Sequence, residues 1–156
     1  MNLGQRIAKN FKEVYFGGNW TVSNIQAQLQ DVTWQEATTK VYELNTIAIL
    51  LNHIHYYVRV ATKVLEGGPL VGKDAESFAH ESISSDEDWQ TFQQVRYAEA
   101  ENFSSLLEQV SDDKIDLAFG DEKWGNYYRN LQGIVEHTHY HLGQIVLIKK
   151  MLRAKQ

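Results

Sequence analysis

Apolar positions recur at helical spacing in four long stretches of the chain. In the first, about Leu3 to Phe16, Leu3, Ile7, Phe11, Val14 and Tyr15 share one face. Gly17-Gly18 closes it, because glycine tolerates the left-handed conformation at a helix C-terminus. The connecting region Asn19 to Leu44 predicts a short helix around Ser23 to Leu29 and a further turn opened by Thr33, which fits a capping box with Glu36. A second long helix is expected over Thr46 to Glu66, with Asn45 as N-cap and a core stripe of Ile47, Leu50, Leu51, Ile54, Val58, Ala61 and Leu65. Gly67-Gly68-Pro69 stops it. Leu70 to Ser84 then reads as a long irregular crossing, the kind of segment that often lines a functional site. The third helix opens at Ser84 or Ser85 with Asp86, Glu87 and Asp88 against the positive end of its dipole, and runs to about Val110. Asp112 to Trp124 is expected to be a loop with a turn or two. The last helix spans Asn126 to Arg153, buries Leu131, Ile134, Val135, Leu142, Ile145, Val146 and Leu152, and ends in Lys149, Lys150 and Arg153, which suit the negative end of its dipole.

Four amphipathic helices, one proline and no convincing strand predict an all-α protein: a four-helix bundle forming a single domain over residues 1–156. The 43% hydrophobic and 22% charged content is that of an ordinary globule. Charge narrows the function. Fifteen Lys and Arg against twenty Asp and Glu leave a net charge of −5, which argues against a dedicated nucleic-acid binder. The absence of cysteine removes disulfides, thiolate zinc sites, Fe–S clusters and a thiol nucleophile. Met1 to Phe11 carry no apolar secretory core, and the longest clean apolar run, Ile47 to Leu51, is too short to span a bilayer. The expectation is a cytoplasmic protein with no membrane partner.

Candidate chemistry gathers in the histidines. Five of the six fall in two groups, His53 with His55, and His137 with His139 and His141. His137 and His141 lie four apart, so on a helix their rings stack on one face and can hold one metal ion, while His139 points away. A third ligand is available from the second helix, where His53 and His55 diverge by about 200° and only one can join. Periodicity does not choose between them. Three neutral imidazoles with an open fourth position form the ligand set of a catalytic zinc site, and nickel or iron fits the same donors.

Other patterns fall away. Glu136 and His139 make a single Glu-x-x-His, whereas a di-iron bundle needs two plus two further glutamates. Gly67 to Lys73 has the spacing of a phosphate-binding loop, but Asp74 stands where Ser or Thr is required and the segment follows a helix. No Gly-x-Ser-x-Gly elbow occurs. Gln144, one turn past His141, is placed either to bond a ligand or to make a helix–helix contact. Tyr56, Tyr57, Tyr127, Tyr128, Tyr140 and Trp124 could wall a pocket, though aromatics at helical spacing are more often core. No carboxylate is tied by spacing to the histidines as a general base.

His137-Thr138-His139-Tyr140-His141-Leu142-Gly143-Gln144-Ile145 resembles the closing His-x-x-x-His-x-Gly-Gln-Ile motif of the DinB-like superfamily. Leu50-Leu51-Asn52-His53-Ile54 resembles that family's first ligand segment, and the likeness extends over most of the chain in helix order and in the aromatic loop near Trp20. The resemblance implies a bundle with crossover connections and a divalent metal ion (zinc, nickel or iron) held by His53, His137 and His141. It thereby favours His53 over His55, leaving His55 and His139 as supporting or surface residues. It also implies a metal-dependent thiol S-transferase, with a low-molecular-weight thiol and a small electrophile as partners, or a related hydrolase, and a homodimer. The alternative is a non-catalytic metal-binding or dimerisation protein of the stress-response type.

Overall fold

Each long helix starts where a short polar side chain meets a free amide. In a computed structural model, which describes residues 1–154, Asn2 caps α1 (Leu3–Phe16), Thr46 caps α4 (Ile47–Leu65), Ser85 caps α5 (Asp86–Glu108) and Asn126 caps α7 (Tyr127–Arg153). Asn45, expected to cap the second long helix, does not: the Thr46 hydroxyl accepts from the Ile49 amide at 3.1 Å. Three short helices complete the set, α2 (Ile25–Leu29), α3 (Trp34–Thr38) and α6 (Asp112–Ile115), with single 3₁₀ turns at Asp74–Phe78 and Glu122–Trp124. The capping box of Thr33 and Glu36 forms at α3 as expected. No strand occurs among the described residues, so the protein is all-helical there.

α5 and α7 each pack against both α1 and α4. Between them lies one continuous apolar core in which Phe11, Tyr15, Leu51, Ile54, Val58, Phe103, Leu131 and Ile145 are buried. Burying each such side chain stabilises the fold by roughly 1.5–3 kcal/mol. α1 and the end of α5 meet closely at Gly4, where an added Cβ would lie 2.4 Å from the Val110 carbonyl oxygen. The final cations of α7 do more than complement its dipole. Lys149 reaches Asp31 and the Gln28 carbonyl, and Arg153 reaches Asp31 and Glu36, so Lys149 ties α2 and Arg153 ties α3 to the end of α7, and both hold Asp31 between them.

The crossing between α4 and α5 carries the turn Asp74–Phe78, which packs along α4. Asn52, buried in α4, holds it there by donating to the carbonyls of Ser77 and Ala79, each at 2.9 Å. Its side-chain oxygen accepts from Arg96 of α5 at 3.0 Å. Arg96 in turn grips Glu81 with two hydrogen bonds and lies over the Phe92 ring. One amide therefore joins α4, α5 and the crossing. Among the described residues, no helix is long and apolar enough to cross a membrane.

Candidate metal centre

The His137 and His141 rings meet at the middle of α7, and His53 faces them from α4. His137 Nε2 lies 3.0 Å from His141 Nε2 and 3.2 Å from His53 Nε2. One ring nitrogen from each of the three falls within 4.8 Å of the other two. Among the described residues no further His, Asp or Glu joins this cluster. Nitrogens bound at ~2.0–2.1 Å in a tetrahedral site stand about 3.3 Å apart, so the two measured separations are close to those of ligands sharing one ion.

The outer nitrogens fix which way each lone pair points. Ser77 Oγ donates its proton to the Asp74 carbonyl at 2.5 Å, so it must accept from His53 Nδ1–H, 2.7 Å away. His141 Nδ1–H donates to Gln144 Oε1 at 2.7 Å. Both rings therefore carry the proton on Nδ1 and turn a bare Nε2 toward His137. A single His137 Nε2–H satisfies one of those lone pairs and leaves the other facing nitrogen. A cation satisfies all three. His137 Nδ1 is itself buried without a partner. The donor set thus fits a divalent ion better than it fits a hydrogen-bonded cluster.

Electrostatics supports the same fit, because metal ligation needs neutral imidazole. Burial lowers the pKa of all three rings. For His137 the effect is largest, to about 4, with the neighbouring His141 and His53 adding repulsion. For His53 the neighbouring His141 adds to burial, and Asp74 pulls the other way.

His53 and His137 open onto a cleft of about 470 Å³ walled by Tyr57, Asp74, Arg129 and Gly133. Phe78 stacks on the His53 ring at 4.5 Å between centroids, and Tyr57 meets it edge-on at 5.3 Å. The Tyr57 hydroxyl donates to the Asp74 carboxylate at 2.5 Å. Burial, followed by that carboxylate, pushes the Tyr57 pKa up to about 12. Asp74, Ser77 and Phe78 carried no motif. Their only trace in the sequence was the length of the irregular crossing.

His55 takes the opposite side of α4. It is fully buried, accepts from the Tyr15 hydroxyl at Nε2 (3.0 Å) and donates from Nδ1 to Glu99 (3.1 Å), which Arg59 also holds. Burial lowers its pKa to about 4 despite Glu99 beside it. His139 faces a separate cleft with Trp20 and Glu136, and Gln144 bonds His141. The aromatics largely depart from the expected core. Tyr127 is buried, but Tyr128 and Tyr140 are exposed because they fall off the apolar stripe of α7, Trp124 is exposed in the 3₁₀ turn before that helix, and Tyr56 and Tyr57 are half-buried.

The chain matches no protein-family model, no curated protein and no solved structure. The functional reading therefore rests on the residues themselves.

Proposed function

We propose that the protein is a DinB-like four-helix bundle that binds one divalent ion through His53, His137 and His141 and acts as a thiol S-transferase. The observation that carries this reading is the convergence of three Nε2 atoms, with no fourth ligand among the described residues, beside an open cleft. A closed structural site would fill its fourth position with a side chain. His55, which could have done so, is engaged with Tyr15 and Glu99 on the far side of α4.

A divalent ion held by His53, His137 and His141 would lower the pKa of a thiol or water set against it, and so would supply a nucleophile at neutral pH. The chain has no cysteine, so the thiol comes from a cosubstrate. Ser77 and Gln144 hold the ligand rings in the required tautomer. Phe78 and Tyr57 shield the His53 ring from bulk water, and Tyr57 and Asp74 offer a hydrogen-bonded pair at the cleft wall for moving a proton. A small electrophile would enter by the same cleft. With water in place of the thiol, the same residues would serve a hydrolase.

The test is elemental analysis of untagged protein beside His53→Ala, His141→Ala and His139→Ala. The expected result is near-stoichiometric zinc, nickel or iron in wild type and His139→Ala, and loss of most metal in the other two, with helix content preserved. Equal metal content in all four proteins, or none after incubation with each ion, would remove the chemical basis of the proposal.

A further inference from the structure

Arg129 occupies the first turn of α7 and lines the same cleft as His53 and His137. Among the described residues its guanidinium makes no ion pair and no hydrogen bond, unlike Arg59, Arg96 and Arg153, which all hold carboxylates. Gly133 lies one turn further along α7, and a Cβ there would meet nothing within 4 Å. Arg129, Gly133 and His137 follow one another at four-residue spacing, so they line one stripe of the helix. The missing side chain at Gly133 leaves the stretch between the cation and the imidazole open. The other charged group of the cleft, Asp74, is committed to the Tyr57 hydroxyl. The chain as a whole carries −5 and repels anions at long range, so an anionic ligand would need a local cation to hold it.

We propose that Arg129 is the anchor for a carboxylate on the thiol cosubstrate, making the preferred cosubstrate an acidic thiol whose charge lies several bonds from its sulfur. This inference rests on the thiol-transfer reading above. Eight residues of helix separate Arg129 from His137, about 12 Å along the axis at ~1.5 Å per residue. A short mercaptoacid therefore falls short of the guanidinium, and a longer one spans the floor left by Gly133. Arg suits the task because its planar fork matches a carboxylate with two parallel hydrogen bonds.

The experiment uses cobalt(II)-loaded protein and follows the near-ultraviolet band that appears when a thiolate binds cobalt. Unbranched ω-mercaptoalkanoic acids of increasing length are titrated beside their primary amides, into wild type, Arg129→Gln and Arg129→Lys. The expected result in wild type is a preference for the longer acids over their amides of about tenfold, equivalent to ~1.4 kcal/mol. That preference should be absent for the shortest acid, reduced by added salt, lost in Arg129→Gln and partly kept in Arg129→Lys. Amide affinity should be the same in all three proteins. Equal affinities for acid and amide in wild type, or a preference that survives in Arg129→Gln, would overturn the assignment of Arg129 and leave thiol binding standing. No band with any thiol on cobalt-loaded protein would overturn the thiol reading, and this inference with it.

Discussion

Replacing Asn52 by Ala tests whether the site is held by its surroundings. The substitution removes two hydrogen bonds to the Ser77 and Ala79 carbonyls, the one from Arg96 and a longer one, 3.4 Å, from Arg59. The first three lie in or beside the core, since Asn52 is 2% exposed and Arg96 4%. Two neutral bonds at about 1 kcal/mol each and the bond from Arg96 at about 1.5–3 kcal/mol give a loss of about 3–5 kcal/mol, to which the long contact from the partly exposed Arg59 adds little. That is a large share of the 5–15 kcal/mol that holds a typical domain. A second effect is expected on the metal. Ser77 is freed to move and no longer fixes the His53 tautomer, a kind of loss that typically costs 10–100-fold in affinity. Urea unfolding of the metal-free protein measures the first effect, and competition with a chromophoric chelator measures the second. Asn52→Asp provides a control of equal size. It keeps an acceptor for Arg96 but sets a carboxylate against two carbonyl oxygens, so it should also be destabilised. A loss below about 1 kcal/mol in Asn52→Ala, or an Asn52→Asp variant as stable as wild type, would refute the view that this amide ties the crossing to α4 and α5.

Tyr15→Phe keeps the ring in the core but strips His55 Nε2 of its partner, and should cost about 1–3 kcal/mol in urea unfolding without changing metal content. Gly4→Ala forces a Cβ against the Val110 and Leu107 carbonyls and should lose about 1–3 kcal/mol, seen as a lower thermal midpoint. Asp31→Asn should destabilise at neutral pH. Hydrogen bonds from Lys149 and Arg153 hold the Asp31 pKa down at about 2, below its ordinary value of 3.8. A depressed folded-state pKa stabilises above the unfolded value, so the gap between wild type and Asp31→Asn should be full above pH 3.8 and close as pH falls toward 2. Because Asp31 is largely exposed, the gap should also shrink in high salt. A gap that widened on acidification would contradict the ion pairs.

Half of the candidate metal centre was legible in the sequence because its geometry is local. The four-residue step from His137 to His141 fixes both rings on one face whatever packs around them. The choice between His53 and His55 is not local. It is made by Ser77 and Phe78 on one side of α4 and by Tyr15 and Glu99 on the other, residues that lie 24 to 44 positions away in sequence. The long helices were legible for the same reason as the pair of histidines, since caps and apolar stripes act over a few residues. Asn45 and Thr46 are equally good caps by type, and only the observed bond to Ile49 separates them. The exposed Tyr128 and Tyr140 show the limit of composition, because an aromatic one step off the stripe faces water.

α4 presents a histidine to each side, and the two have separate keepers. His55 is secured by Tyr15, Glu99 and Arg59, none of which touches the candidate ion site, and that anchorage is complete without any ion. The fold around His55 is therefore held by contacts that need no ion. If the three rings take a metal, a chain starved of it would keep the helix that carries His53, and capture would demand little reordering of the backbone. Exchange of ions would then be governed by passage through the cleft rather than by unfolding. In a cell where metal supply rises and falls, such a protein would be emptied and refilled without being rebuilt.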